Sequence, residues 1–122
     1  MLLDSNIIIY AGEPEYDYLR NFITDKNPQV SVISKIEVLG YHKFKPQTIE
    51  KIKKLFEVLP IIPITNEIVN QAIFLKQQQK ISLGDSLVAS TALIHNIELV
   101  TANTKDFKWI PDLKLINPIK NI

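Results

Sequence analysis

The chain has 122 residues, 46% hydrophobic and 22% charged, and its 14 Lys plus Arg nearly balance 13 Asp plus Glu for a net charge of +1. That is one domain's worth of sequence with enough apolar material for a core, and it excludes intrinsic disorder, collagen-like sequence and a fibrous repeat. No cysteine is present, so disulfides, thiolate metal ligands and a Cys nucleophile are excluded; bulk charge argues neither for nor against a polyanionic partner.

In chain order, Leu2-Leu3 opens a short strand, and Asp4-Ser5-Asn6 offers capping side chains to a helical turn. Tyr16–Lys26 reads as a helix with Leu19, Phe22 and Ile23 on one face. Gln29–Ile33 is β-branched at Val30, Val32 and Ile33 and predicts a second strand. Ser34-x-x-Glu37 then reads as the capping box of a helix running to about Phe44. Pro46 suits a first helical turn, with Ile49, Ile52, Leu55, Phe56 and Leu59 at helical spacing. Pro60–Ile64 is a short extended run whose prolines place it at a sheet edge. Thr65 caps a helix with Ile68, Val69, Ala72 and Ile73 facing inward. Ser82 starts a largely buried helix through Ile94, and Glu98–Thr101 and Leu113–Ile116 are the closing strands. This alternation predicts an α/β fold over residues 1–122, a three-layer α/β/α sandwich with a mainly parallel central sheet. Asp4 interrupts the opening apolar residues, so no signal-peptide core is expected. Val58–Ile64 and Leu83–Ile94 are too short or too broken to span a bilayer.

Strand C-termini and helix N-termini share one edge of such a sheet, the edge where ligands bind. Asp4 follows the first strand, Glu37 and Asp85 lie early in helices, and Asp106 follows the Glu98–Thr101 strand. Each acid taken singly has an ordinary structural use, as a cap or a turn residue. Together they do not: two carboxylates about 5 Å apart repel by roughly 3 kcal/mol at an effective dielectric near 20. Converging acids therefore need protons, basic partners or a cation. With no His or Cys in these segments, the ligand set is all oxygen and suits Mg²⁺ or Mn²⁺ over zinc. Metal-assisted phosphodiester hydrolysis is the expected reaction class.

Leu3-Asp-Ser-Asn-Ile-Ile-Ile-Tyr10, Ser34-x-x-Glu37, Gly84-Asp-Ser-Leu-Val-Ala-Ser-Thr-Ala92 and Thr101-Ala-Asn-Thr-Lys-Asp-Phe107 resemble, in order and over nearly the whole chain, the four motifs of the PIN-domain nucleases. Among these the chain is most similar to the VapC-type toxins of toxin–antitoxin systems. The resemblance implies Mg²⁺- or Mn²⁺-dependent endonucleolytic cleavage of RNA by a metal-activated water. It implies that Asp4 and Asp85 are the primary ligands and that Glu37 and Asp106 complete the site or orient the water. Ser5, Asn6, Thr101 and Asn103 match polar positions that brace the acids, although local capping and turn bonds account for them equally well. The resemblance further implies a cytoplasmic homodimer with a cognate antitoxin and no membrane partner. Ala102 stands where some relatives carry a basic residue, so a phosphate contact there is in doubt.

An RNA enzyme of such low net charge needs local cations. Lys43, Lys45, Lys51 and Lys54, with Lys105 and Lys108 beside the last acid, are the candidates for an RNA-binding rim; a solvated helix face is the plainer use of the first four. Two other readings stay open. One is a receiver-like phosphoacceptor domain, which shares length, layering and a strand-end Asp but wants adjacent acids where Ser5-Asn6 follows Asp4. The other is a catalytically silent PIN-fold RNA-binding module.

Overall fold

The computed structural model of the chain describes residues 1–120. Strands β1 (Leu2–Leu3), β2 (Gln29–Ser31), β3 (Ile61–Ile62), β4 (Leu99–Val100) and β5 (Leu115–Ile116) pair in parallel, in the order β3-β2-β1-β4-β5. Helices α1 (Ser5–Ala11), α2 (Asp17–Lys26), α3 (Val32–Leu39), α4 (Pro46–Val58), α5 (Asn66–Gln78), α6 (Leu83–His95) and α7 (Thr104–Phe107) connect them.

The two-residue period of the strands divides the core. Leu3, Val30 and Val100 point to one face, where they pack with Ile7, Ile8, Leu19, Val38, Ile52 and Phe56 from α1 to α4. Leu2, Ile62 and Leu99 point to the other, against Leu75, Val88, Ala89 and Phe107 from α5 to α7. The register keeps the split coherent, since Leu2 lies opposite Leu99 while Leu3 lies opposite Val30 and Val100. Helices thus cover both faces, giving the three layers expected. Strand β3 lies at the edge, where Pro60 and Pro63 cost no ladder bonds.

Local chemistry sets the element ends. Pro46 occupies the first turn of α4. The Thr65 and Ser82 hydroxyls accept from Ile68 N and Asp85 N, at 3.3 and 3.1 Å, to cap α5 and α6. Asn27 and Asn96 close α2 and α6 in the left-handed region, with φ of 47° and 52°.

Three expectations are corrected. Strand β2 ends at Ser31, whose own hydroxyl accepts from Ile33 N at 3.2 Å, so Ser31 and not Ser34 caps α3. Val32 and Ile33 are therefore helical, and Ser34 lies within α3 with a buried hydroxyl that finds no partner. Helix α3 stops at Leu39, with Gly40 as its C-cap, short of Phe44. On α5, Ile68, Ala72 and Leu75 are buried, whereas Val69 and Ile73 are 40% and 50% exposed.

The central strand β1 leads outward to β2 on one side and has β4 on the other. Between β1 and β4 the winding reverses, and ligands bind at the C-terminal ends of the strands flanking such a reversal. Receiver domains use the order 2-1-3-4-5, so the observed order removes that alternative. No helix among the described residues is long and apolar enough to cross a membrane.

Candidate active site

Asp4 follows directly from β1 and is the N-cap of α1: its Oδ1 accepts from Ser5 N at 2.8 Å. Its Oδ2 accepts from the Thr101 hydroxyl at 2.7 Å. Thr101 follows β4, so this bond ties the ends of the two strands that flank the reversal. The same hydroxyl accepts from Asn103 N at 3.0 Å, and Asn6 Oδ1 accepts from Ala102 N at 3.4 Å. Ser5 donates from Oγ to Glu37 Oε1 at 2.9 Å. All four polar residues singled out in the sequence thus touch an acid or the loop beside it, through the Ser5 and Thr101 hydroxyls, the Asn6 carbonyl oxygen and the Asn103 backbone amide.

Glu37 reaches the site from the second turn of α3 because Ser31 starts that helix three residues earlier than expected. Asp85 lies in the first turn of α6, and Asp106 lies in α7. Asp4, Glu37 and Asp85 line a cavity of about 270 Å³ together with Ser5, Asn6 and Asn103. A neighbouring cavity of about 440 Å³ is lined by Asp85 and Asp106 together with Lys80, Lys105 and Trp109. Asp85 is the wall the two share. Among the described residues, no three of these side chains stand close enough to form a ready-made metal site.

The approach of Glu37 to α6 depends on Gly84. A Cβ built there would lie 2.4 Å from Glu37 Oε2, far inside van der Waals contact. The Glu37 carboxylate is held between the Ser5 hydroxyl and the bare backbone of Gly84.

Electrostatics reflects this crowding. Burial, with Asp85 and Glu37 nearby, raises the Asp4 carboxyl from 3.8 to about 6, despite the opposing hydrogen bonds from Thr101 and Ser5. Asp85 is also raised, by burial and by Asp106 and Glu37, with the Ser82 hydroxyl acting against the shift. None of the four acids makes an ion pair: the sole side-chain ion pair among the described residues joins Arg20 to Asp17. An all-oxygen set of carboxylates outside any ion pair, two of them raised by burial and by acidic neighbours, is what a hard divalent cation fits.

Because Asp4 binds its proton more tightly folded than unfolded, its contribution to stability is greatest below about pH 4 and is lost as pH rises through about 6. The shift corresponds to about 3 kcal/mol at most. Asp4→Asn removes this penalty, so in metal-free thermal scans the variant's advantage over the parent grows between pH 4 and 7. A melting difference independent of pH contradicts the shift.

The positions of the expected basic residues differ. Lys105 lines the second cavity, whereas Lys43, Lys45, Lys51, Lys54 and Lys108 line neither. Lys80, which was not singled out in the sequence, lines the second cavity. The signal available for it was position: five residues before Asp85, in the connection that enters the N-terminus of α6, it belongs to the edge where the acids gather.

Comparison with known proteins bears on the family and the fold. The chain is 37% identical over 76 residues to a ribonuclease VapC of Rickettsia bellii; the match covers 60% of this chain and 57% of that relative's length. Its fold superposes on a chain of the Rickettsia felis VapBC2 complex bound to a promoter DNA fragment with a TM-score of 0.82 and 29% identity, covering 95% and 96% of the two chains. A chain of a toxin–antitoxin complex from Klebsiella pneumoniae gives a TM-score of 0.75 at 30% identity, covering 98% of each. The family model of the PIN domain matches residues 1–113, with all four acids inside the matched span, and the chain belongs to the PIN-domain family.

Proposed function

We propose that this protein is a Mg²⁺- or Mn²⁺-dependent endoribonuclease and the toxin of a toxin–antitoxin pair. The observation that carries the reading is the gathering of Asp4, Glu37, Asp85 and Asp106, from four separate segments, around two cavities joined at Asp85, with none of the four in an ion pair among the described residues. The likeness to a ribonuclease VapC and to toxin–antitoxin complexes supports the choice of RNA as substrate and of an antitoxin as partner.

Asp4 and Asp85 would hold the cation, with Glu37 and Asp106 completing its surroundings or orienting the water. When bound, such an ion lowers the pKa of a coordinated water and neutralises charge building on the phosphoryl group. The chain's own residues supply preorganisation. Thr101 fixes one Asp4 oxygen and Ser5 N the other, so the buried carboxylate cannot rotate away. Ser5 Oγ and Gly84 between them determine where the Glu37 carboxylate sits. A cation held there would favour the ionised form of Asp4, which burial and its acidic neighbours disfavour.

Val69, Ile73 and Phe74 stand exposed on α5, and apolar side chains left in water on one helix support contact with a second copy or an antitoxin. A cytoplasmic homodimer held by its antitoxin until release is the assembly we propose.

The test is cleavage of a panel of purified RNAs. Activity is expected to vanish in EDTA and to return on adding excess Mg²⁺ or Mn²⁺. Cleavage that persists in EDTA, after removal of contaminating nucleases, overturns the mechanism.

A further inference from the structure

The acids account for one cavity; the larger one beside them contains chemistry of another kind. Lys80 approaches it from the α5–α6 connection and Lys105 from α7, so two lysines line a space whose shared wall is acidic. Neither lysine makes an ion pair among the described residues. Trp109 forms part of the wall, and its indole N–H donates to the Asp106 carbonyl at 3.0 Å. That bond ties the ring to the short helix that carries Asp106. Trp109 also packs against the buried cluster beneath it while lining the cavity. At about 440 Å³ the space lies in the range of small-molecule sites.

A rigid aromatic face with two flanking cations and a polar amide, here Gln79, matches an unpaired nucleotide. Bases splayed from a single strand stack on aromatic side chains, and phosphates are held by lysines. A paired base is already stacked in its helix and offers no free face. We propose that this cavity is the subsite for the nucleotide next to the scissile phosphate, with its base on Trp109 and its phosphate between Lys80 and Lys105. The inference rests on the nuclease reading above and assigns the side chains that seat the nucleotide beside the acids.

Trp109 is the sole tryptophan in the sequence, so its emission reports the cavity alone. The experiment titrates the protein in EDTA at low salt with a single-stranded ten-nucleotide RNA carrying a fluorescent end label, recording label anisotropy and Trp109 emission together. The emission is expected to change and to saturate with the anisotropy. Lys80→Gln, at an exposed position, is expected to weaken binding and lower the salt slope by about one. Trp109→Ala is expected to weaken binding about 10-fold or more. Trp109→Phe, which keeps an aromatic face, replaces it if the alanine variant does not fold, and is expected to retain most of the affinity. The same RNA annealed to its complement is expected to bind more weakly.

Rising anisotropy with unchanged Trp109 emission and wild-type affinity in Lys80→Gln overturns the subsite, as does duplex binding equal to that of the single strand. Parallel cleavage assays in Mg²⁺ separate the two failures. An active parent whose Lys80→Gln and Trp109 variants cleave at unchanged rates discards the subsite alone. An inactive parent whose Trp109 still senses RNA discards the nuclease reading, and with it the place beside a scissile phosphate, and leaves a nucleotide-binding cavity.

Discussion

Replacing Asp85 by Asn is expected to reduce RNA cleavage about 100-fold or more while leaving the metal-free protein at least as stable as the parent. Asp85 is the wall common to both cavities, so no other single side chain touches so much of the site. Its carboxyl is raised by burial and by Asp106 and Glu37, which means that the folded protein holds an anion where an uncharged group is preferred. Asn keeps the shape and removes the charge. A cation that depended on Asp85 loses a ligand, and the developing charge on the phosphoryl group loses stabilisation worth several kcal/mol, with about 1.4 kcal/mol for each factor of ten in rate. Steady-state cleavage with a denaturation curve checks both halves. A variant that cleaves at the parent rate contradicts the role of Asp85; one that is inactive because it unfolds contradicts the electrostatic account.

The second large effect is expected at a residue with no side chain. Gly84→Ala places a methyl group where the Glu37 carboxylate now lies, 2.4 Å from Oε2. Glu37 is the end of a flexible, exposed side chain on α3 and can swing away, so the conflict is resolved by moving the carboxylate and not the backbone. Helix α6 meanwhile exchanges a glycine for alanine in its first turn, which favours the fold by a fraction of the roughly 1 kcal/mol seen in helix interiors. The expected result is a melting temperature no lower than the parent's, with cleavage reduced about 10- to 100-fold, the range typical of lost support around a metal site. Adding Gly84→Ala to Glu37→Gln is expected to cost little further activity, since both act on one carboxylate. Multiplicative losses in the double variant contradict the coupling.

The fold and two of the acids were legible because their signals are local. A strand of two leucines followed by Asp-Ser-Asn, and Ser82 three residues ahead of Asp85, fix both the element and the residue at its end. The start of α3 was harder to read. Val30, Val32 and Ile33 look like one β-branched strand, but Ser31 turns the chain with its own hydroxyl, and the branched residues after it belong to a helix packed on the sheet. The Ser34-x-x-Glu37 spacing therefore put Glu37 on a helix through the wrong cap. Helix α5 carries apolar residues on more than one stripe, and periodicity alone does not say which stripe meets the sheet; Ile68, Ala72 and Leu75 do, while Val69 and Ile73 face water. The close approach of Glu37 to Gly84 joins segments more than forty residues apart, which no local pattern encodes.

Diffraction from crystals soaked in Mn²⁺, recorded at the manganese absorption edge, examines the ion itself and not its consequences. The expected result is an anomalous peak bounded by the carboxylates of Asp4 and Asp85 in the parent, lost in Asp85→Asn. A peak elsewhere on the molecule, or none at Mn²⁺ concentrations that support cleavage, contradicts a metal centre built from these acids.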